Sequence, residues 1–301
     1  MAKISVADAR ALLKPFQAAL DGLGQTLDKA AEVEALEGSA ASRQVDAERR
    51  IAQAALRVAK AEADGYTLGV SPDTVVTVNP LVYPKLNFDA RTELVNVSVL
   101  ATFTQMLVCN AGKGIKTAGE LVEKAKTTRL TYASGGPGVP GHLAAEMFLQ
   151  GAGVKMEHIP YRGPAPATLA VVSGEADCGF LATPTVLPHV KAGKLNALAV
   201  SSAAPSPLAP EVPTLARALN NPALDITFKL VLQVAKGTPA PVLAELERAA
   251  ADIMKQPELR TKLQALDLVA VGGATKDAEA GIRADIARWE PLVKRLELKA
   301  E

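Results

Sequence analysis

The stretch 132–148, YASGGPGVPGHLAAEMF, concentrates residue types that handle anions. Gly136, Gly138 and Gly141 stand at the Gly-x-Gly-x-x-Gly spacing of dinucleotide loops, between an apolar run and the start of a helix. Glycines let backbone approach a ligand closely, and Ser134 adds a hydroxyl. A helix opening at Pro140 or Gly141 turns free N–H groups and the positive end of its dipole toward the loop. A nucleoside triphosphate cradle, a dinucleotide loop and a seat for another anion are the chemistries to separate.

The triphosphate cradle fails, because it needs Gly-Lys-Ser/Thr and the loop ends Gly141-His142-Leu143. The dinucleotide reading has the right strand-to-helix context, yet Pro137 and Pro140 delete two backbone donors from a loop whose task is to present them. No acidic residue closes the next strand, which runs MEHIPYRG to Arg162; an arginine there suits a 2′-phosphate, so an NADP-dependent oxidoreductase stays as the rival. What remains is a carboxylate held by several neutral donors, each charge-assisted bond contributing roughly 1.5–3 kcal/mol. A tight strand-to-helix turn without ligand is the equal alternative.

Other reactive side chains are few. Cys109 and Cys178 lie far apart without CxxC spacing and read as two buried free thiols rather than a redox pair or metal site, so they do not identify a compartment. His142, in a first helical turn, is as often a packed or capping residue as a ligand contact; His158 within a strand reads as structural, and His189 as exposed or packing. Lys85, Lys191 and Lys194 read as solvated charges. Ser134 has no histidine and carboxylate placed by a nucleophile motif, and no His or Cys spacing is that of a metal site. The expectation is a non-enzyme with no cofactor and no metal.

The elements that must position these residues alternate. GYTLGV (65–70), VNVSVL (95–100), TQMLVCN (104–110), RLTYAS, MEHIPY, ADCGFLA, NALAVS and roughly 226–235 read as strands, being rich in β-branched and apolar residues. TAGELVEKAKT (117–127) is a helix with Thr117 and Glu120 at capping-box spacing. HLAAEMFLQ, APATLAVVSG and TPTVLPHVKAG follow as helices, the last two closed by glycine, and the tail is mostly helical. This alternation argues for an α/β sheet with parallel right-handed crossovers. The 95–110 and 226–235 segments are candidates for chain passing between two lobes. Residues 1–63 differ: they are rich in Ala, Glu, Lys, Arg and Gln and read as two amphipathic helices broken near Gly38.

At 301 residues the chain has room for two domains. Lys and Arg number 33 against 32 Asp and Glu, so no net field recruits nucleic acid or an anionic membrane. Aromatics make up 4%, too few for base-stacking platforms. The opening MAKISVADARALLKPFQAAL lacks the apolar core of a signal peptide, and no segment approaches the ~20 apolar residues of a membrane span. The chain as written is expected to be soluble, without an export signal.

Seven motifs in order, DGYTL (64–68), NPLVYPKLNFD (79–89), the 132–148 stretch, HIPYRGPAPATLAVVSGEAD (158–177), LPHVKAGKLNALAV (187–200), PEVPTLAR (210–217) and GTPAPV (237–242), resemble the substrate-binding proteins of tripartite tricarboxylate transporters, the Bug family of periplasmic receptors. The resemblance covers about residues 64–295. It implies an α/β, two-lobed periplasmic-binding-protein-like fold that closes on a small carboxylate, an organic acid or amino acid, and hands it to membrane transporter subunits of the tripartite tricarboxylate type. It implies lobe 1 from 64–102 and 225–301, lobe 2 from 103–224, and 1–63 as an atypical helical segment. No nucleic-acid partner and no direct membrane insertion are expected. The implied ligand-binding residues are Ser71, Pro72, Asp73 and Thr74 on the first lobe. On the second they are Ser134, Gly135, Gly138, His142, Tyr161, Gly163, Ala165, Ala182 and Thr183, with Leu181 alongside.

The chain also departs from the pattern. The glycine-rich loop that follows Pro-Phe in the family is Gln17, Ala18, Ala19 and Leu20 after Phe16, with Gly22, Gly24 and Asp28 a faint echo. A second strand expected near residue 40 has no β-branched run, so an altered N-terminus with an incomplete first lobe and impaired binding is expected, or an inactive relative. Lys229 stands about where the family often has Trp. Asp73 puts a negative charge at a carboxylate-facing loop, which favours a zwitterion over a plain diacid. Localisation is periplasmic by resemblance, and with no signal peptide in the chain it is expected to be cytoplasmic if the start is as given.

Overall fold

The computed structural model describes residues 51, 53–83 and 87–298. Residues 51 and 53–59 are helical. The expected break near Gly38, the loop after Phe16 and Lys85 lie outside the described residues. Nine strands are described: β1 (Gly69–Pro72), β2 (Leu94–Phe103), β3 (Met106–Asn110), β4 (Thr131–Ser134), β5 (Glu157–Pro160), β6 (Cys178–Leu181), β7 (Leu195–Val200), β8 (Phe228–Ala235) and β9 (Leu268–Ala270). The chain divides into two compact units, one running up to Thr102 and resuming at Lys229, the other Phe103–Phe228.

The first unit holds a sheet ordered β1-β8-β2-β9, with β1 and β8 antiparallel and Ser71 opposite Val231. One set of strand residues, Val97, Leu100, Leu232 and Val234, packs with Leu246, Ala249, Ile253, Leu259 and Leu263. The helix Ala240–Met254 brings Leu246, Ala249, Ala250, Ile253 and Met254 into this core because they recur at helical spacing. Val231 and Leu94 join a second cluster with Ala55, Val58, Val75, Val76 and Ile282. Each fully buried Leu, Ile or Val contributes about 1.5–3 kcal/mol relative to exposure. The helix Thr275–Arg295 buries Ala278, Ile282, Trp289, Leu292 and, less expectedly, Asp285. Helical residues Thr74–Thr77 and Asn79–Val82 and the short β9 carry no periodic signal long enough to read from sequence.

The second unit holds a sheet ordered β5-β4-β6-β3-β7. β4 runs parallel to β5 and β6, but β3 is antiparallel to both β6 and β7. The expected parallel crossovers hold for β4, β5 and β6, and the sheet as a whole is mixed: β3 runs the other way, a direction that an apolar run does not encode. The same register puts Cys109 opposite Cys178, and the two form a disulfide with Cα atoms 3.9 Å apart. This corrects the reading of two free thiols, since sequence distance says nothing of strand pairing. The helix Ala118–Thr127 starts as its residues require: Thr117 accepts from the Glu120 N–H at 3.1 Å, and Glu120 accepts from the Lys116 N–H at 2.7 Å.

Candidate functional site

β5, β4 and β6 are adjacent and co-directional, so their carboxyl ends share one edge of the second unit's sheet, with neighbouring strands ~4.8 Å apart. From that edge three helices begin: Pro140–Ala152 after β4, Pro164–Ser173 after β5 and Thr183–Lys191 after β6. Each has proline at its first or second position and no side-chain cap hydrogen bond. The first rungs are Leu143 N–H on Val139 O at 3.1 Å, Ala167 N–H on Gly163 O at 3.2 Å and Thr185 N–H on Ala182 O at 3.0 Å. The amides of Gly141, His142, Ala165 and Thr183 lie ahead of these rungs, where a helix has no partner of its own to offer. The Thr183 hydroxyl is fully buried and has no hydrogen-bond partner.

Two glycines make this edge possible. A Cβ on Gly141 would stand 2.2 Å from Phe180 O, so only glycine lets the Pro140–Ala152 helix press onto β6. Gly163 takes φ 132° as the residue before the Pro164–Ser173 helix, a conformation that side chains rarely adopt.

The loop between β4 and its helix is braced from inside. The Ser134 hydroxyl is 0% exposed: it accepts from the Gly136 N–H at 3.2 Å, lies 3.1 Å from Gly136 O and 2.7 Å from His158 Nε2. The Gly138 N–H donates to His142 Nδ1 at 3.0 Å. The rings of Tyr132, His158 and His142 stack, with centroids 4.8 Å apart for Tyr132–His158 and 4.1 Å for His158–His142. Burial, and for His142 also the neighbouring His158, lowers the imidazoles to about 3 for His142 and about 4 for His158. Both rings are therefore neutral near pH 7. No sequence motif announced the neighbour of Ser134: the β4–β5 register brings His158 there, 24 positions along the chain.

Of the residues expected at a ligand, Ser134, Gly135, Gly138, His142, Tyr161, Gly163, Ala165, Ala182 and Thr183 all fall on this carboxyl edge. Their availability differs. Ser134 and the Gly138 amide are engaged within the loop, and the Tyr161 hydroxyl donates to Glu175 at 2.8 Å. Sequence reasoning missed Gln105, at the start of β3, whose Oε1 lies 3.7 Å from where a Cβ on Gly141 would stand. No local pattern marks it, because only the antiparallel entry of β3 brings it to this edge.

Ser71, Pro72, Asp73 and Thr74 sit together in the first unit, where β1 runs into the helical turn Thr74–Thr77. The Ser71 hydroxyl donates to Gln233 Oε1 at 2.7 Å, and Gln233 donates onward to Asn96 at 2.8 Å. Asp73 is 0% exposed and neither carboxylate oxygen has a hydrogen-bond partner. Burial and the nearby Asp285 push it up to about 7 against the pull of Lys229, which is ion-paired with Asp285. Asp73 is thus an interior acid in this structure. Lys229 fills its position as the part-buried partner of the buried Asp285.

Among the described residues no cluster of three or more His, Cys, Asp or Glu could hold a metal ion, and no helix is long and apolar enough to cross a membrane.

Comparison with known proteins bears on this geometry. The profile of the family described as tripartite tricarboxylate transporter family receptor matches residues 47–298. A protein of the tcbD–tcbE intergenic region of Pseudomonas sp. (strain P51) is 29% identical over 245 residues, covering 81% of this chain and 73% of that protein. Protein BugT of Bordetella pertussis is 29% identical over 240 residues, covering 78% and 73%. Among solved structures, R. palustris Rpa4515 with adipate superposes with a TM-score of 0.70 at 28% identity, covering 81% of this chain and 82% of the other. MatC from Rhodopseudomonas palustris with bound malate gives a TM-score of 0.66 at 26% identity, covering 80% and 84%.

Proposed function

The chain belongs to the tripartite tricarboxylate transporter receptor family, and from that premise we propose that it is a periplasmic solute-binding protein that captures a small organic acid at the carboxyl edge of β5, β4 and β6. It then hands the acid to membrane subunits of a tripartite tricarboxylate-type transporter. The observation that carries the reading is the meeting of three uncapped helix starts on one edge, with the buried Thr183 hydroxyl still lacking a partner. Amides ahead of helix ladders, a hydroxyl and positive dipole ends together favour an anion without any cationic side chain.

Further support comes from the relatives' ligands, since adipate and malate are both carboxylates. The Cys109–Cys178 disulfide suits an oxidising compartment such as the periplasm. The rival NADP reading loses ground: Gly136 and Gly138 direct their amides into Ser134 and His142 rather than outward.

Thermal denaturation with a panel of mono- and dicarboxylates, amino acids and NADPH tests the proposal. A ligand at a hundredfold excess over its Kd adds about 2.7 kcal/mol of stability. The proposal expects a concentration-dependent rise in Tm with at least one carboxylate and none with NADPH. A saturable response to NADPH alone would overturn it.

A further inference from the structure

We propose that His158 is a positioning residue for the carboxylate loop: its imidazole anchors the Ser134 hydroxyl and thereby holds the 134–138 turn in its binding shape. This rests on the site proposed above, to which His158 itself contributes no ligand contact.

The proton count around Ser134 carries the inference. Its oxygen has three neighbours: the Gly136 N–H at 3.2 Å, Gly136 O at 3.1 Å and His158 Nε2 at 2.7 Å. A hydroxyl has one proton to give and two lone pairs to fill. All three contacts are satisfied together in one arrangement only: Ser134 donates to Gly136 O, and accepts from the Gly136 N–H and from a proton on His158 Nε2. His158 is then a neutral donor with a fixed tautomer. The ring packs against both Tyr132 from the neighbouring strand and His142 from the helix, whose own centroids are 6.3 Å apart, so the three rings form one cluster.

The second imidazole completes the brace with the complementary assignment. His142 Nδ1 accepts from the Gly138 N–H, so the neutral ring carries its proton on Nε2. The amides of Gly136 and Gly138 are thus tied down by a serine and a histidine, and Pro137 and Pro140 have none. With these two loop amides engaged, the helix-start amides of Gly141 and His142 are those best placed to be offered to an anion. A bulky, hydrogen-bonded stack, buried at Tyr132 and His142 and partly buried at His158, backs the glycine-rich turn and limits the freedom that four glycines and two prolines would otherwise allow it.

Two substitutions separate hydrogen bonding from packing. His158→Phe keeps a ring in the stack and removes the donor; His158→Gln keeps a donor near the Nε2 position and removes the ring. Amide hydrogen exchange of the 134–142 segment is read in the free protein, and Kd is read with malate and adipate as probes. The proposal expects His158→Phe to accelerate exchange at Gly136 and Gly138 and to weaken whichever acid binds the wild type by roughly five- to tenfold. It expects His158→Gln to restore most of both, and His158→Phe to add little in a Ser134→Ala background. Unchanged loop exchange in His158→Phe, or a loss that Gln does not rescue and that persists in Ser134→Ala, would overturn it. The exchange readout needs no ligand, so it decides the positioning role even if neither acid binds, an outcome that would count against the proposed function instead.

Discussion

The two units place very different leftovers at their predicted ligand edges. In the second unit the buried side-chain group without a partner, among the described residues, is the Thr183 hydroxyl, at an edge where three helices start without a side-chain cap. In the first unit the unpartnered groups include an acid, Asp73, and the Asn79 amide nitrogen, while Ser71 is engaged with Gln233. Charge follows the same division. The second unit surrounds its loop with two neutral histidines, and the first buries Asp73 beside the Lys229–Asp285 pair. The contrast teaches that one edge gathers neutral dipoles, the feature on which the proposed anion site rests, whereas the other has turned Asp73 and Asp285 inward.

The comparison breaks hardest at Gly141. Replacing it with alanine sets a methyl against Phe180 O, which the β6 backbone cannot yield. Overpacking of this kind costs about 1–3 kcal/mol or more, and here it also separates a helix start from the edge it serves. Gly141→Ala is expected to lower Tm by several degrees and to abolish carboxylate binding. A variant with wild-type Tm and affinity would show that the helix does not need this close approach.

Removing the disulfide tests the frame of the same unit. With 69 positions between the cysteines, the chain-entropy model gives about 4 kcal/mol. Cys109→Ala with Cys178→Ala is expected to raise amide exchange in β3 and β6 far more than in β2 and β8. Equal acceleration in both units would contradict a local role.

Asp73 sharpens the comparison from the other side, and its effect has a definite sign. Its carboxyl is pushed up to about 7 from 3.8, chiefly by burial, so the native state holds the proton longer than the unfolded chain. The contribution of Asp73 to stability is therefore expected to fall as pH rises from about 4 to about 7 and to level above that, while the lowered His142 and His158 act in the opposite sense, so the Asp73 effect is read as the difference between variant and wild type. Asp73→Asn removes this slope. The variant is expected to match wild type near pH 4 and to exceed it by of order 2–4 kcal/mol near pH 8. Denaturation midpoints across that range check it, and a variant less stable than wild type at pH 8 would show that the ionised acid has a partner.

Thr183→Val gives the smallest change in stability and the most selective change in binding. It removes a buried hydroxyl that bonds nothing in the free protein, so Tm should hold or rise slightly. Affinity for a carboxylate is expected to fall roughly five- to tenfold. Titration calorimetry on the variant measures both the loss and its enthalpy.

Much of the second unit was legible because its signals are local. Thr117 and Glu120 cap the helix they mark, Gly174 closes the Pro164–Ser173 helix in a left-handed conformation, and the strands fall close to the apolar runs that announced them. What escaped depends on strand direction and register. Cys109 meets Cys178, His158 meets Ser134 and Gln105 reaches Gly141 only through pairings whose direction apolar runs do not encode. The candidate site followed the same rule. Its helix starts were readable from Gly, Pro and Ser in sequence, but which hydroxyls and amides stay free was not. Ser134 was expected at the ligand and is held by Gly136 and His158, and Asp73 was expected at a carboxylate-facing loop and is buried.

The most direct test follows backbone amide resonances while malate or adipate is titrated into the wild-type protein. The account predicts saturable shifts at Gly141, His142, Ala165 and Thr183, with Gly136 and Gly138 moving less because their amides are already engaged. Saturable binding that leaves those four amides unmoved, or shifts Gly136 and Gly138 most, would contradict it.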